Sequence, residues 1–284
     1  MIPVTLPRRS TLPLTNSMTP AASNLLATHP IESLRQKKPF LFERPVFWKT
    51  RLSDFAEFAQ QAPEQLEVKV IGKSAGGNDI YAFSHGPKEP QAPTATISSA
   101  MASDHPAAFY DPSLRARPSL VIIGAIHGGE TEGVALSMNL LQILATGRDF
   151  RGKAQPRLFE LLSRVRLTII PCLNPDGRLA AGVDHLQGAE VEDLFLVQQG
   201  LLADGTPFRG RKVKEWQPIP AGLLQFMGGY YNAQGVNLQH DDFFGPRLSP
   251  ENQAIRALFL DEIPDAFITF HAHGAPPAFL VPDA

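Results

Sequence analysis

A single cysteine, Cys172, stands among 284 residues, so no internal disulfide staples the chain and cysteine usage fixes no compartment. No apolar run approaches the ~20 residues that span a bilayer. Arg8 and Arg9 are followed by Pro, Thr, Ser and Asn rather than by a continuous apolar stretch, which argues against a secretory leader. A cytoplasmic location is the resulting expectation. The formal net charge is only −2, which gives no reason to expect nucleic acid or a membrane surface as a partner. No internal repeat breaks the chain into units. What is present is enough apolar residue, 43%, to fill one large core.

Proline, by contrast, is abundant, and it is clustered. Residues 1–45 mix Pro, Thr, Ser and Asn without period and read as a tail or loosely packed arm before a domain over 46–284. Six prolines between His85 and Pro118 (87, 90, 93, 106, 112 and 118) mark a long surface insertion between two strands. A third irregular stretch, Leu179 to Gly235, is rich in glycine and charge, and loops of that length often wall a site.

The remaining segments read as ordinary α/β elements. Asp54 to Gln61 suits a short helix that Pro63 ends, and Leu66–Ile71 with Asp79–Phe83 suits a hairpin turning at Gly76-Gly77. Ser119 to Ile126 is an unbroken, β-branched apolar run, which predicts a buried parallel strand. Thr131 to Thr146 carries apolar side chains at helical spacing. Arg157–Arg164 and Asn252–Asp261 read as helices, and Val165–Pro171 and Ala266–Phe270 as further core strands. Strands alternating with helices predict an α/β fold with a mixed, largely parallel sheet flanked by helices.

Two of these strands end in a histidine. His127 follows the first, in the turn His127-Gly-Gly-Glu130, and His271 follows Ala266–Phe270. Parallel neighbours end on one sheet edge, where open α/β sheets hold ligands. Two histidines and a glutamate there supply the three nitrogen and oxygen ligands of a catalytic zinc, with a fourth position left to water. A lone histidine after a strand is ordinarily just hydrogen-bonded. It is the second histidine, together with the glutamate, that favours a metal. Cys172 reads as a small buried hydrophobe, since no paired base is evident.

The stretch Pro171-Cys-Leu-Asn174-Pro-Asp-Gly-Arg178 reads in isolation as a turn. In order with its neighbours it says more. The hairpin Ile71-Gly-Lys-Ser-Ala-Gly-Gly-Asn-Asp-Ile80, the turn His127-Gly-Gly-Glu130, Asn174-Pro-Asp-Gly177, Gly235-Val-Asn-Leu-Gln-His-Asp241 and Phe270-His271-Ala-His273 follow one another. In that order they resemble the zinc carboxypeptidase family (M14 metallopeptidases), over a span from about Leu52 to the C-terminus. The resemblance implies that His127, Glu130 and His271 ligate one zinc ion. It also implies hydrolysis of a peptide or amide bond near a substrate C-terminus.

The chain departs from that pattern at two places. Where the family has an Asn-Arg pair that grips the terminal carboxylate, this chain has Gln239 and His240. A glutamine still donates an amide hydrogen bond, but His240 carries charge only when protonated and lacks the arginine fork. Asp241 and Asp242 alongside would disfavour an anion, unless they are plain loop carboxylates. Second, no residue matches the family's catalytic glutamate, so the general base is unknown and the domain reads as incomplete at its C-terminus. Arg211, in the basic run Phe208–Lys214, is the candidate for facing the oxyanion. Asn174, Gln239, His240 and His273 are the candidate substrate contacts. The expected partner is a peptide or small amide. Two competing functions remain: an M14-like deacylase or amidase acting on small acylated amino acids, and a non-catalytic zinc-binding, peptide-binding module.

Overall fold

The computed structural model describes residues 29–88, 95–111, 113, 115–209, 217–241 and 247–272. The helices are α1 (Pro30–Lys37), α2 (Leu52–Gln61), α3 (Ile97–Ala102), α4 (Thr131–Thr146), α5 (Pro156–Leu162), α6 (Pro175–Ala181), α7 (Val191–Gln199) and α8 (Pro250–Glu262). The strands are β1 (Leu66–Lys73), β2 (Asp79–His85), β3 (Ser119–Ile123), β4 (Arg166–Ile170), β5 (Gly200–Leu202), β6 (Leu224–Met227) and β7 (Ala266–Thr269).

Five strands form the main sheet in the order β1-β2-β4-β3-β7, and β5 pairs with β6 separately. β3 is parallel to both β4 and β7, whereas β2 is antiparallel to β1 and β4. Only β2 therefore runs against the other four, so the sheet is mixed and mostly parallel in direction. Ile122 of β3 lies between Ile169 of β4 and Ile268 of β7, which brings the C-terminal ends of these three strands to one edge.

Side-chain alternation along β3 and β4 splits the core into two layers. Ile122, Leu167 and Ile169 pack with Val134, Met138 and Leu141 of α4 and Phe55 of α2. Val121, Ile123 and Ile170 pack on the opposite face with Ala254, Ile255 and Leu258 of α8. Both faces are thus covered by helices. The run expected to be helical over Thr131–Thr146 forms α4 with those bounds and ends at Gly147, whose φ of 73° closes it in the left-handed region.

Three expectations change. Of the arm expected over residues 1–45, residues 1–28 lie outside the described residues, and residues 30–45 are not loosely packed. Ile31, Leu34, Leu41 and Phe42 are buried against Val197 of α7 and Phe226 of β6. Polar contacts add to the docking, Arg44 Nη2 donating to Asp54 Oδ1 (2.9 Å) and Arg51 Nη2 to the Phe42 carbonyl (3.3 Å). The stretch 179–235 likewise contains α7 and the β5–β6 pair rather than loop alone. Third, β7 is not buried. Among the described residues it pairs only with β3, and at this edge Phe267 is 58% exposed. Within the Pro-rich insertion between β2 and β3, the described residues include α3.

Candidate metal centre

β3 ends at Ile123, and three residues carry the chain to His127. Gly124 still donates to the Ile170 carbonyl of β4 (2.8 Å). His127 and Glu130 are 2% and 1% exposed. Glu130 is the residue immediately before α4, and its N–H donates to the His127 carbonyl (3.0 Å), which folds the turn tightly. On the other side of β3, Phe270 donates to the Ile123 carbonyl (3.0 Å) and so delivers His271 to the same edge.

Glu130 joins the two histidines. Its Oε1 lies 3.0 Å from His127 Nδ1 and its Oε2 lies 3.1 Å from His271 Nδ1. One ligand atom from each of the three residues falls within 4.8 Å of the others, a grouping that fits one metal ion. The ring centroids of His127 and His271 are 5.2 Å apart at 61°. Glu130 Oε2 also accepts the Ala272 N–H (3.1 Å), tying the end of β7 to the turn.

The tautomer of His127 follows from its other side. Nε2 lies 3.2 Å from Asn237 Oδ1. That same Oδ1 accepts the Gln239 backbone N–H (3.1 Å), so the amide oxygen, not the nitrogen, faces the ring. Nε2 must therefore be the donor, and in the neutral imidazole Nδ1 presents its lone pair to the Glu130 carboxylate. A lone pair facing a carboxylate at that distance is bridged either by a proton or by a metal ion that both groups ligate, and the donor set of the three residues fits zinc.

The turn is held from outside by neighbouring backbone. Gly128 N–H donates to the Gly229 carbonyl (2.7 Å), and the buried Arg178 donates from Nη1 to the Gly128 carbonyl (2.9 Å) and from Nε to the Thr50 carbonyl (3.1 Å). Burial pulls the Arg178 pKa down, opposed by the neighbouring charge of Asp184. Tyr230 lies flat on His127, centroids 4.0 Å apart and planes within 9°. Burial, with a smaller push from the Glu130 charge, raises the Tyr230 pKa, so its phenol is neutral at neutral pH. Cys172 is 4% exposed, and burial pushes its thiol up to about 12, as suits an inert core residue.

The other sequence candidates fall differently. Gln239 and His240 lie in a short 3₁₀ turn, Leu238–His240, immediately after Asn237, and both are exposed. Asn174 has no exposed surface. Its Oδ1 accepts the Gly177 N–H (2.8 Å) and caps α6, so Asn174-Pro-Asp-Gly177 starts a helix instead of forming a simple turn. Asp176 is tied into the β1–β2 turn, accepting from Gly76 N–H (2.8 Å) and Asn78 Nδ2 (2.8 Å). Asp241 is structural, accepting from Ser249 N–H (2.9 Å) and Asn252 Nδ2 (2.8 Å) at the start of α8. Arg211, Asp242 and His273 lie outside the described residues. Asn237 and Tyr230 were not among the sequence candidates. Asn237 stands two positions before Gln239 in the same motif, a signal that could have marked it, whereas nothing local marks Tyr230.

Comparison with known proteins bears on this geometry. The profile of the family described as zinc carboxypeptidase matches residues 52–186. The human carboxypeptidase N catalytic chain is 28% identical over 117 residues, which are 41% of this chain and 20% of that one. The chain thus spans about a fifth of the length of this curated relative. Among solved structures, a metallo-carboxypeptidase from Burkholderia cenocepacia shares 20% identity at a TM-score of 0.45, over 78% of this chain and 40% of its own. A carboxypeptidase A from Helicoverpa armigera shares 16% identity at a TM-score of 0.44, over 86% of this chain and 53% of its own. The stretch matched by the profile includes His127, Glu130 and the Asn174–Gly177 helix start, and over residues 52–186 the chain is similar to the zinc carboxypeptidase family.

Proposed function

We propose that the protein is a zinc-dependent metallopeptidase that hydrolyses a peptide or amide bond near a substrate C-terminus. His127, Glu130 and His271 would hold the metal. The observation that carries this reading is the meeting of His271 with Glu130, 141 residues apart in sequence, at 3.1 Å on one sheet edge. Zinc in such a site polarises a carbonyl and lowers the pKa of water.

The chain's own residues prepare that chemistry. Asn237 keeps His127 in the tautomer that ligates through Nδ1. Burial of His127 and Glu130 keeps bulk water from two of the three candidate ligands. The exposed Gln239 and His240 would contact the polar end of the substrate, Gln239 through its amide. His240 would favour a carboxylate only at a pH where the imidazole is protonated. Arg211 remains the candidate for stabilising the oxyanion and His273 a candidate substrate contact, both outside the described residues.

The test offers the natural full-length protein a set of peptides and, separately, a set of N-acyl amino acids, with mass spectrometry as readout. Zinc-dependent loss of single C-terminal residues from the peptides is expected. Cleavage of the acyl amino acids alone would make the protein a deacylase. Cleavage of neither, with zinc bound, would make it a binding module.

A further inference from the structure

His127 is restrained at two points of its ring edge, with Glu130 Oε1 at Nδ1 (3.0 Å) and Asn237 Oδ1 at Nε2 (3.2 Å). Both contacts lie at ring nitrogens and together define a line through the imidazole. The ring's soft torsion is about Cβ–Cγ, and contacts at the two nitrogens limit it only within the angular tolerance of a hydrogen bond. Such a rotation would swing the Nδ1 lone pair out of the direction a metal needs, because nitrogen ligands bind along the ring plane. A surface pressed on the face of the ring would narrow that remaining range.

We propose that Tyr230 is that surface and acts as a positioning residue for the metal group. This inference rests on the zinc reading given above. The phenol ring lies parallel to the imidazole, 4.0 Å between centroids and 9° between planes, so any rotation of His127 out of plane drives its edge into the tyrosine. An offset or parallel aromatic contact of this kind is attractive as well as blocking.

The tyrosine is itself fixed by backbone. Its N–H donates to the Gln198 carbonyl (2.8 Å), and the preceding Gly229 N–H donates to the Val197 carbonyl (2.8 Å), both at the end of α7. The Gly229 carbonyl then accepts the Gly128 N–H (2.7 Å). One short segment, Gly229-Tyr230, therefore grips the metal turn and places a flat ring over its histidine. Gly229 has to be glycine for this, because a Cβ there would stand 2.7 Å from the Gly129 nitrogen. Next in sequence, Tyr231 is 1% exposed and packs with Phe208, anchoring the far end of the segment.

The role belongs to the ring face and not to the hydroxyl, which makes it testable. Zinc affinity is measured by competition with a chromophoric chelator on the 284-residue chain and on Tyr230→Phe and Tyr230→Leu. Outer partners of a metal ligand cost 10- to 100-fold in affinity when removed, so Tyr230→Leu should bind about 10-fold more weakly, while Tyr230→Phe stays within about twofold of the parent. Parent affinity in Tyr230→Leu, or equal weakening in both variants, would overturn the proposal. A second readout needs no metal. The carbon-bound ring protons of His127 should show an upfield ring-current shift in the NMR spectrum of the parent and of Tyr230→Phe, and lose it in Tyr230→Leu. Should the leucine variant fail to fold, Tyr230→Met, flexible and without a flat face, takes its place in both measurements. A parent chain that binds no zinc would refute the metal reading, and the ring-proton shifts would still decide whether the stack exists.

Discussion

Glu130→Ala is expected to abolish zinc retention while leaving the chain folded. The carboxylate touches both candidate ligand rings, at 3.0 Å and 3.1 Å. Its removal takes away a candidate ligand and, among the described residues, the carboxylate that contacts both imidazoles. It also strands the Ala272 N–H that Oε2 now accepts, and an orphaned N–H costs about 1–3 kcal/mol where it is buried. That loss is tolerable for a domain with two packed layers, so the fold should survive with a lowered melting temperature. Glu130→Gln separates the charge from the shape. It preserves volume and one acceptor oxygen, and should still bind zinc far more weakly than the parent. Equilibrium dialysis followed by elemental analysis reads both variants. Stoichiometric zinc in Glu130→Ala would remove Glu130 from the ligand set.

The second large effect concerns a residue with no side chain. Gly128→Ala should destabilise the protein by at least about 3 kcal/mol, well above an ordinary substitution. A Cβ at this position would stand 1.9 Å from the Arg178 nitrogen and 2.1 Å from the Gly177 carbonyl carbon. Both are backbone atoms in the first turn of α6, which Asn174 caps and Pro175 opens. Such atoms cannot rotate away as a flexible side chain would. Either α6 shifts or the turn between His127 and Glu130 does, and the second route spreads the two ligands. The comparison is Gly147→Ala, where φ is +73° and no atom lies within 4 Å of the new Cβ. There only the left-handed conformation is penalised, by about 1–2 kcal/mol. Chemical denaturation of the two variants checks the contrast, and equal losses would mean that the close approach at Gly128 relaxes without consequence.

The parts of the fold that were legible in the sequence are those whose signal is local. β3 and α4 announce themselves because an apolar β-branched run and a helical apolar period each depend on neighbours in the chain. The ligand turn between them follows from the same boundary. Residues 30–45 were misread because their prolines and polar residues mask four apolar side chains, Ile31, Leu34, Leu41 and Phe42, whose burial depends on α7 and β6 far downstream. Glycine and charge hid α7 in the same way. Whether β7 is buried depends on which strand lies beyond it, and its own residues do not encode that. Asn174 shows the reverse case. Its motif was recognised, yet its side chain serves α6, because the motif's position is a helix cap. Tyr230 lay beyond sequence reasoning altogether, since its significance comes from a ring 103 positions away in the chain (230 − 127).

The most direct test of the central claim is a crystal structure of the protein grown with zinc, with the metal located by anomalous scattering at the zinc edge. One ion is expected, bound by Nδ1 of His127, Nδ1 of His271 and the Glu130 carboxylate, at about 2.0–2.2 Å from each. An ion held elsewhere, or none at this sheet edge with zinc in excess, would contradict it.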